Sequence, residues 1–322
     1  MTLRRCHAVV IGRNEGARLV ACLTALRGQV ARIIYVDSGS RDDSVVQARA
    51  LGAEVVALDM TRPFTAARAR NAGLAMLAQD DAGFVQMIDG DCVLRDGWIE
   101  AATAFLVAHP DVAVVCGRRR ERHPEASIYN RLCDLEWDTA TGEATACGGD
   151  ALMRLDAVRA VGGYRDDLIA GEEPELCLRL RRAGWRIWRM GAEMTLHDAQ
   201  MTRFAQWWRR SRRAGHAFAE GAFLHGKAAE RHWVAEARRS LFWGVGLPLG
   251  IAGLAVALSP WALLLLSIYP AQIMRLARRS RQAGGWPAAA FTVLGKFAEA
   301  DGALRYHLGR MLRRRSGLIE YK

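Results

Sequence analysis

Short apolar runs alternate with helix-like stretches through the first part of the chain. The runs are rich in β-branched residues, and turn-forming or polar residues follow them; they are residues 7–12, 32–37, 53–58, 84–89 and 112–117. Continuous apolar strands that alternate with helices are typical of a parallel sheet covered on both faces. The pattern therefore predicts an α/β fold, with a Rossmann-like, mostly parallel sheet flanked by helices.

Polar residues stand where three of these predicted strands end. They are Arg13, Asn14 and Glu15 after the first run, Asp37 at the end of the second, and Asp89, Gly90 and Asp91 at the end of the fourth. Ligands of such sheets bind beyond the carboxyl ends of the strands. We therefore expect a binding site at this edge, although the chain shows neither a dinucleotide fingerprint nor a phosphate-binding P-loop there.

Two carboxylates separated by one glycine favour a metal site at this edge. Residues i and i+2 of an extended segment point the same way, so Asp89 and Asp91 are expected to converge. A hard divalent cation held by carboxylates and phosphate oxygens is the usual means of offsetting their repulsion. The alternative is an acidic pair in a turn or helix cap, which needs no ligand.

The second half is less regular, but residues 172–182 have the pattern of a helix. Glu172 and Glu173 would lie in its first turn, where the helix dipole favours anionic groups. Neighbouring helical residues point about 100° apart, so only one of the two is expected to face a bound hydroxyl group. A purely structural role at the helix start is the alternative.

The positive charge of the chain surrounds an uncharged block. The formal net charge is +11, yet residues 240–274 contain no charged residue and basic segments lie on both sides. A membrane-spanning helix needs about 20 apolar residues, so a transmembrane or re-entrant hairpin with both ends cytoplasmic is expected. A buried helical pair or an oligomer interface is the alternative. This charge distribution disfavours nucleic acid as a partner.

Six segments, in order and spacing, resemble glycosyltransferases of family 2, which have the GT-A fold. They are VVIGRNEGARLVACLTAL, YVDSGSRDDSV, AARARNAGLA, IDGDCVL, GGDALMRLDAVRAVGGYRDDL and GEEPELCLRLRRAGWRI, and together they cover roughly residues 7–190. The basic and apolar C-terminal part is similar to bacterial members that build exopolysaccharides or lipid-linked glycans.

The resemblance implies an inverting sugar transfer from a nucleotide-sugar donor, expected to be UDP-linked, to a hydroxyl of a glycan or lipid-linked acceptor. It implies Mn²⁺ or Mg²⁺ as cofactor and the cytoplasmic face of the inner membrane as location. Carried over by motif, the donor-binding residues are Arg13, Asn14, Glu15, Asp37, Arg70 and Asp89. The implied metal ligands are Asp91, Asp89 and His197.

The catalytic base would be Glu173, which stands where the family more often has Asp. Glu172 is the competing candidate. Asp150 would lie on the acceptor side. Trp185 would stack on an acceptor sugar or fill the core. A further expectation is that Trp207, Trp208 and the arginines after them form an interfacial segment.

These expectations divide the chain into regions. They are a catalytic domain at 1–200 (donor half about 1–117, acceptor half about 118–200), a basic amphipathic segment at 201–239, the apolar hairpin at 240–274 and a basic cytoplasmic tail at 275–322. Two other functions stay open: a non-catalytic nucleotide-sugar-binding subunit of a polysaccharide assembly complex, and a sugar nucleotidyltransferase. The oligomeric state is left open as well.

Overall fold

The computed structural model describes residues 6–78, 83–279 and 284–313. Within this part of the chain the strands are β1 (Cys6–Gly12), β2 (Ile33–Asp37), β3 (Glu54–Ala57), β4 (Phe84–Asp89), β5 (Cys92–Leu94), β6 (Val112–Glu121), β7 (Gly142–Ala144), β8 (Ala151–Arg154) and β9 (Arg186–His197). The first seven helices are α1 (Ala17–Leu26), α2 (Ser44–Ala50), α3 (Ala66–Ala75), α4 (Trp98–Ala108), α5 (Ile128–Glu136), α6 (Leu155–Ala160) and α7 (Glu172–Arg182). The others are α8 (Phe204–His225), α9 (Val234–Leu241), α10 (Leu247–Ala257), α11 (Ile268–Arg279) and α12 (Gly285–Met311).

The nine described strands form one mixed sheet. Its order is β3-β2-β1-β4-β8-β6-β9-β5, and β7 pairs with β9. Strands β3, β2, β1 and β4 run parallel, whereas β8 is antiparallel to both β4 and β6. The α/β architecture is as predicted, but the sheet is parallel mainly in its first half.

The strand register brings the polar strand ends to one edge. Gly12 at the end of β1 pairs with Asp37, and Ile11 pairs with Asp89. Strands β1, β2 and β4 are buried along almost their whole length because helices cover both faces of a parallel sheet. Their carboxyl ends are therefore where polar side chains can reach a ligand.

Strand β6 extends beyond the predicted run 112–117, and β9 was not predicted from the sequence. They run parallel, with register irregularities, and Arg119 pairs with Thr195 and Glu121 with His197. Along β9 the buried positions are interrupted by three exposed residues, Gly191 to Glu193. Hydrophobic alternation is weak in such a strand, so the sequence gives little sign of it.

The chain divides into two compact units. The first contains residues 1–123 and 136–199, and the second contains residues 124–135 and 200–322, within the described ranges. The sequence suggested one boundary near residue 200, whereas the structure also assigns residues 124–135 to the second unit. The end of the expected tail, residues 314–322, lies outside the described residues.

In the second unit, helices α8 and α12 pack closely through glycines. A Cβ atom at Gly215 would overlap the backbone of Glu299, and one at Gly302 would overlap the backbone of Arg212. Trp207 is buried in this unit with its ring 4.9 Å from that of Phe291. The expected interfacial role therefore does not fit Trp207, because its ring fills the interior of the helical unit.

The uncharged block forms apolar helices whose side chains are mostly exposed. A continuous helix runs over Val234–Ala257 with a mean hydropathy of 1.7, and only 11% of its most apolar window is buried. Within the described residues it is the one helix long and apolar enough to cross a membrane, a test of length and composition that some soluble helices also pass. A 3₁₀ segment, Pro260–Ser267, and α11 follow it.

The block doubles back on itself. The hydroxyl of Tyr269 donates a 2.6 Å hydrogen bond to the carbonyl of Trp243, and the two rings lie 5.9 Å apart. The segment between Trp243 and Tyr269 therefore begins and ends close together, as in a hairpin. The side chain of Ser259 accepts from the Trp261 amide at the turn, which caps the 3₁₀ segment.

Candidate active site

The end of β2 holds Asp37 in a fixed position. Its carboxylate accepts hydrogen bonds of 3.0 Å from the Tyr35 hydroxyl and from the amides of Gly39 and Ser40. Gly39 has a φ of 81°, which a glycine adopts without strain. The short Asp-Ser-Gly-Ser turn thus positions a buried carboxylate at the rim of the sheet.

The loop after β1 is tied to the same turn. The Asn14 amide donates to the Ser40 hydroxyl at 2.9 Å, and the Asn14 side chain accepts from the Arg41 amide at 2.7 Å. Glu15 forms an ion pair of 2.7 Å with Arg18. Together with the exposed Arg13, these residues lie beyond the carboxyl ends of strands β1 and β2.

A buried arginine lies between three carboxylates. Arg70, on α3, places Nη2 2.8 Å from Asp89 Oδ1, and places Nη1 2.9 Å from an oxygen of Glu172 and 2.9 Å from an oxygen of Glu173. Its guanidinium also lies over the ring of Tyr164, 5.6 Å from the centroid. Arg70 therefore joins the end of β4 to the start of α7 by charge pairing, rather than facing solvent.

Both glutamates at the start of α7 reach the same guanidinium nitrogen, although the helical spacing suggested that they diverge. Both belong to the first turn of α7, which begins directly after Gly171. Burial raises the pKa of Glu173 to about 7; the neighbouring Glu172 adds to the rise and Arg70 opposes it. A carboxyl group with such a pKa exchanges protons readily near neutral pH.

A second arginine, Arg119 on β6, holds the other side of Asp89. Its Nη2 lies 3.2 Å from Asp89 Oδ2 and 2.8 Å from Asp150 Oδ2, and its Nε donates to the same Asp150 oxygen at 2.9 Å. The guanidinium lies 5.4 Å from the ring centroid of Trp137. Arg119 was not among the residues expected at the site, although a run of three arginines that directly follows an apolar strand was a signal for it.

The carboxylate of Asp150 is fully enclosed. Besides Arg119, it accepts hydrogen bonds from the Thr195 hydroxyl at 2.8 Å and from the Asp89 amide at 3.1 Å. Its side chain has no exposed surface. Asp150 thus lies next to Asp89 in the interior, where it holds Arg119 and the Asp89 backbone in place. Its side chain has no surface that an acceptor could contact.

Asp91 turns away from Asp89 and toward His197. Asp89 is the last residue of β4, whereas Asp91 lies in the turn that follows it. Asp91 groups with His197 and Asp89 with Asp150, so the two aspartates do not converge as expected. Asp91 Oδ2 lies 3.3 Å from Nε2 of His197, and Nδ1 of that ring lies 3.6 Å from Oε2 of Glu121. All three side chains are at least nine-tenths buried.

This group fits a divalent cation. A neutral imidazole has one N–H for two flanking carboxylates. Burial lowers the pKa of His197; the neighbouring Glu121 carboxylate opposes this lowering, and Arg119 adds to it. A cation between Nε2 and the Asp91 carboxylate would satisfy both ligands while Nδ1 keeps the proton. The ligand atoms of Asp91, Cys92 and His197 lie within 4.8 Å of one another.

Close approach at the centre of the site requires glycine. A Cβ atom at Gly149 would lie 2.7 Å from Asp89 Oδ2 and 2.8 Å from Arg70 Nη2. At Gly90 it would lie 3.2 Å from the carbonyl of Ile11. Each contact is tight enough that an alanine would displace part of the site.

Trp185 does not join this group. It precedes β9, whereas His197 ends that strand, and its ring lies 5.9 Å from the guanidinium of Arg154 while packing on the hydrophobic core. The spatial separation follows from the length of β9, which the sequence did not reveal. We therefore do not include Trp185 among the site residues.

Comparison with known proteins gives a family match for part of the chain. Residues 8–158 match the sequence model of glycosyl transferase family 2. The chain contains a domain of this family, with the GT-A fold that the sequence led us to expect.

Two relatives are similar to part of the chain. Pre-mycofactocin glycosyltransferase of Mycobacterium tuberculosis is 30% identical over 243 residues, which are 70% of this chain and 47% of that protein. Succinoglycan biosynthesis protein ExoA of Rhizobium meliloti is 28% identical over 191 residues, 54% of this chain and 57% of that protein. The chain thus spans about half the length of these relatives.

Solved structures share the fold. Mannosyltransferase PcManGT from Pyrobaculum calidifontis, in complex with GDP-Man and Mn²⁺, has a TM-score of 0.65 at 21% identity, and the match covers 93% of this chain and 87% of that one. S. aureus TarS has a TM-score of 0.51 at 14% identity, with 95% and 92% covered. At these identities the likeness establishes the fold alone.

Proposed function

We propose that the chain is an inverting glycosyltransferase that moves a sugar from a nucleotide-sugar donor to an acceptor hydroxyl. One observation carries the proposal: Asp91 and His197, which fit a cation, lie on the same sheet edge as Asp89, Arg70 and the acidic start of α7. Such a site can hold an anionic diphosphate beside a general base. The match of residues 8–158 to the family model supports the same reaction class.

The nucleoside part of the donor would bind where β1 and β2 end. Asp37 offers a carboxylate whose position is already fixed by three hydrogen bonds, so little ordering is needed on binding. Arg13, Asn14 and Glu15 line the same edge. We keep a UDP-linked donor as the proposal, while GDP-Man and UDP-GlcNAc are seen in complexes of PcManGT and TarS, respectively.

Asp91 and His197 would hold the cation. When bound, a divalent ion there offsets the negative charge that develops on the departing nucleoside diphosphate. Mn²⁺ accepts an imidazole ligand more readily than Mg²⁺ does, so His197 favours manganese as the cation. Asp89, held between Arg70 and Arg119, would face the ribose or the cation from the other side of the turn.

Glu173 would take the proton from the acceptor hydroxyl. Its raised pKa makes it a stronger base than an ordinary carboxylate while it is still largely ionised slightly above neutral pH. Arg70 keeps Glu173 and Glu172 together and limits that rise. Glu172 has the same contact with Arg70 and remains the competing candidate.

We also propose that the protein works at the cytoplasmic face of a bacterial inner membrane, on a glycan or lipid-linked acceptor. The exposed apolar hairpin between Trp243 and Tyr269 supports attachment to lipid. The basic residues on both sides of it suit anionic headgroups. One relative is named for succinoglycan biosynthesis, a polysaccharide pathway.

A donor screen tests the proposal. The whole chain of 322 residues, in detergent, would be mixed with a panel of sugar nucleotides, with and without Mn²⁺. Thermal stabilisation and slow donor hydrolysis would be measured. Stabilisation grows with the logarithm of ligand concentration over Kd, so weak donors can be ranked. Binding without hydrolysis or transfer would favour a non-catalytic subunit, and pyrophosphate release from a nucleoside triphosphate would favour a nucleotidyltransferase.

A further inference from the structure

Glu121 lies directly behind the histidine of the cation site and has no role in the chemistry proposed above. It ends β6 and has no exposed side-chain surface. Its Oε1 accepts a 3.2 Å hydrogen bond from the His123 amide, and its Oε2 accepts one of 3.2 Å from the Ala199 amide. Backbone donors on both sides thus hold the carboxylate in one place.

The neighbouring imidazole is equally restrained. His197 is the partner of Glu121 in the β6–β9 register, so the two side chains lie side by side at the end of the sheet. The ring of Trp137 packs edge-on against the imidazole, with the centroids 4.9 Å apart. The histidine ring therefore has one orientation, with Nδ1 toward Glu121 and Nε2 toward Asp91.

Only one placement of the proton suits this arrangement and a cation together. At 3.6 Å, Nδ1 and the Glu121 oxygen repel each other if both present lone pairs, and attract if Nδ1 carries the proton. With the proton there, the lone pair of Nε2 points toward Asp91 and is available to a metal ion. A carboxylate behind a ligating histidine also makes the imidazole a stronger donor.

We propose that Glu121 is a positioning residue that fixes His197 in the tautomer protonated at Nδ1 and thereby presents Nε2 to the divalent cation. This inference rests on the proposed metal site, but its effect on the tautomer exists without metal. Glu121 acts through His197 and does not contact the substrate or the cation.

The first experiment measures the tautomer in the metal-free protein. The whole chain, labelled with ¹⁵N-histidine, would be examined by NMR, and the His197 signals would be assigned by their loss in His197→Gln. We expect the Nδ1-protonated form in the wild type and its loss or mixing in Glu121→Gln. An unchanged tautomer in Glu121→Gln overturns the proposal.

The second experiment measures Mn²⁺ binding, with the free ion followed by electron paramagnetic resonance. Loss of an outer-shell partner typically weakens metal binding about 10- to 100-fold, and we expect this range for Glu121→Gln. Glu193→Gln is the matched control, because Glu193 lies on β9 but pairs with Arg120 on the exposed side. In a His197→Ala background, Glu121→Gln should add nothing further; an additional tenfold loss would assign Glu121 an independent structural role.

The outcomes separate this inference from the function. If the wild type binds no Mn²⁺ but the tautomer still depends on Glu121, the metal proposal fails and the positioning role stands. If the wild type binds Mn²⁺ and Glu121→Gln binds it equally well, the positioning role fails alone. Should Glu121→Gln not fold, Glu121→Asp keeps the charge but withdraws it by one methylene, and wild-type affinity and tautomer in that variant overturn the proposal.

Discussion

The two units of the chain differ in what they bury. In the first unit, charged side chains such as Arg70, Asp150 and Glu172 are almost entirely inside. In the second unit, apolar side chains are outside; Val256 is 91% exposed and Trp261 is 77% exposed. Both arrangements are costly in water unless something compensates for them. The difference therefore indicates where each unit meets its ligand or its surroundings.

In the first unit, the compensation comes from within the chain. The carboxylates of Asp89, Asp150, Glu172 and Glu173 each have an arginine partner. A buried pair that loses one partner costs about 3–5 kcal/mol. The network thus holds acidic groups together that would otherwise repel. In the second unit, no comparable network covers the exposed apolar helices within the described residues, so a lipid phase is the compensation that we propose.

The largest effect is expected from the proposed base. Glu173→Gln keeps the volume but cannot accept a proton, so transfer should fall by about 10²- to 10⁴-fold while donor affinity, measured by calorimetry, changes little. Glu172→Gln is the matched control. Full transfer in Glu173→Gln together with loss of transfer in Glu172→Gln would assign the base to Glu172 instead. Transfer in both variants would mean that neither glutamate is the base.

The raised pKa of Glu173 predicts a pH dependence. Because the base acts in its ionised form, kcat/KM should rise as pH increases through the pKa of about 7 and then level off. The kcat/KM of Glu173→Gln should not show this rise. The folded-state pKa exceeds the unfolded value, so the contribution of this group to stability is present at low pH and is lost as pH rises through about 7. Thermal unfolding of the wild type and of Glu173→Gln across this range would measure that loss.

The next effect concerns the cation. Asp91→Asn keeps the shape of the ligand but removes its charge, and we expect turnover to fall by roughly 10³-fold because a metal contributes several kcal/mol of charge stabilisation. Asp96→Asn, an exposed position five residues away, is the control. Wild-type turnover in excess EDTA, or in Asp91→Asn, would contradict a role for metal in the reaction.

A smaller effect tests the exposed apolar surface of the second unit. A glutamate at Val256 or Leu264, both exposed in the hairpin, should weaken vesicle binding by about 100-fold, since a charge at membrane depth costs about 3 kcal/mol. Val46→Glu is the control, because Val46 is an isolated exposed residue on α2 of the first unit. Equal flotation of all three variants with vesicles would mean that the hairpin does not enter lipid.

The smallest effect is electrostatic. Arg209, exposed on α8, should contribute about 1 kcal/mol to binding of anionic vesicles, so Arg209→Glu should weaken that binding about fivefold or somewhat more. Binding to neutral vesicles should not change, and added salt should reduce the difference. An equal loss on both kinds of vesicle would point to altered folding of α8 instead.

Much of the first unit was predictable because its signals are local. Strands β1, β2 and β4 are continuous apolar runs, and in a parallel sheet their carboxyl ends share an edge, so the grouping of Asp37 with Asp89 followed from the sequence alone. The uncharged block at 240–274 was also recognisable from the sequence alone, because 35 consecutive residues carry no charge.

The pairing of the charges was decided by the tertiary structure. The partners of Arg119 and Glu121 are set by the register between β6 and β9. These strands are more than 60 residues apart in the chain and lack a clear alternation of apolar and polar residues. The convergence of Glu172 and Glu173 on Arg70 likewise depends on a contact across 102 residues. Local pattern determines which elements form, whereas which buried charge meets which partner depends on long-range packing, because a charge is stable inside only where a distant chain segment brings its counter-charge.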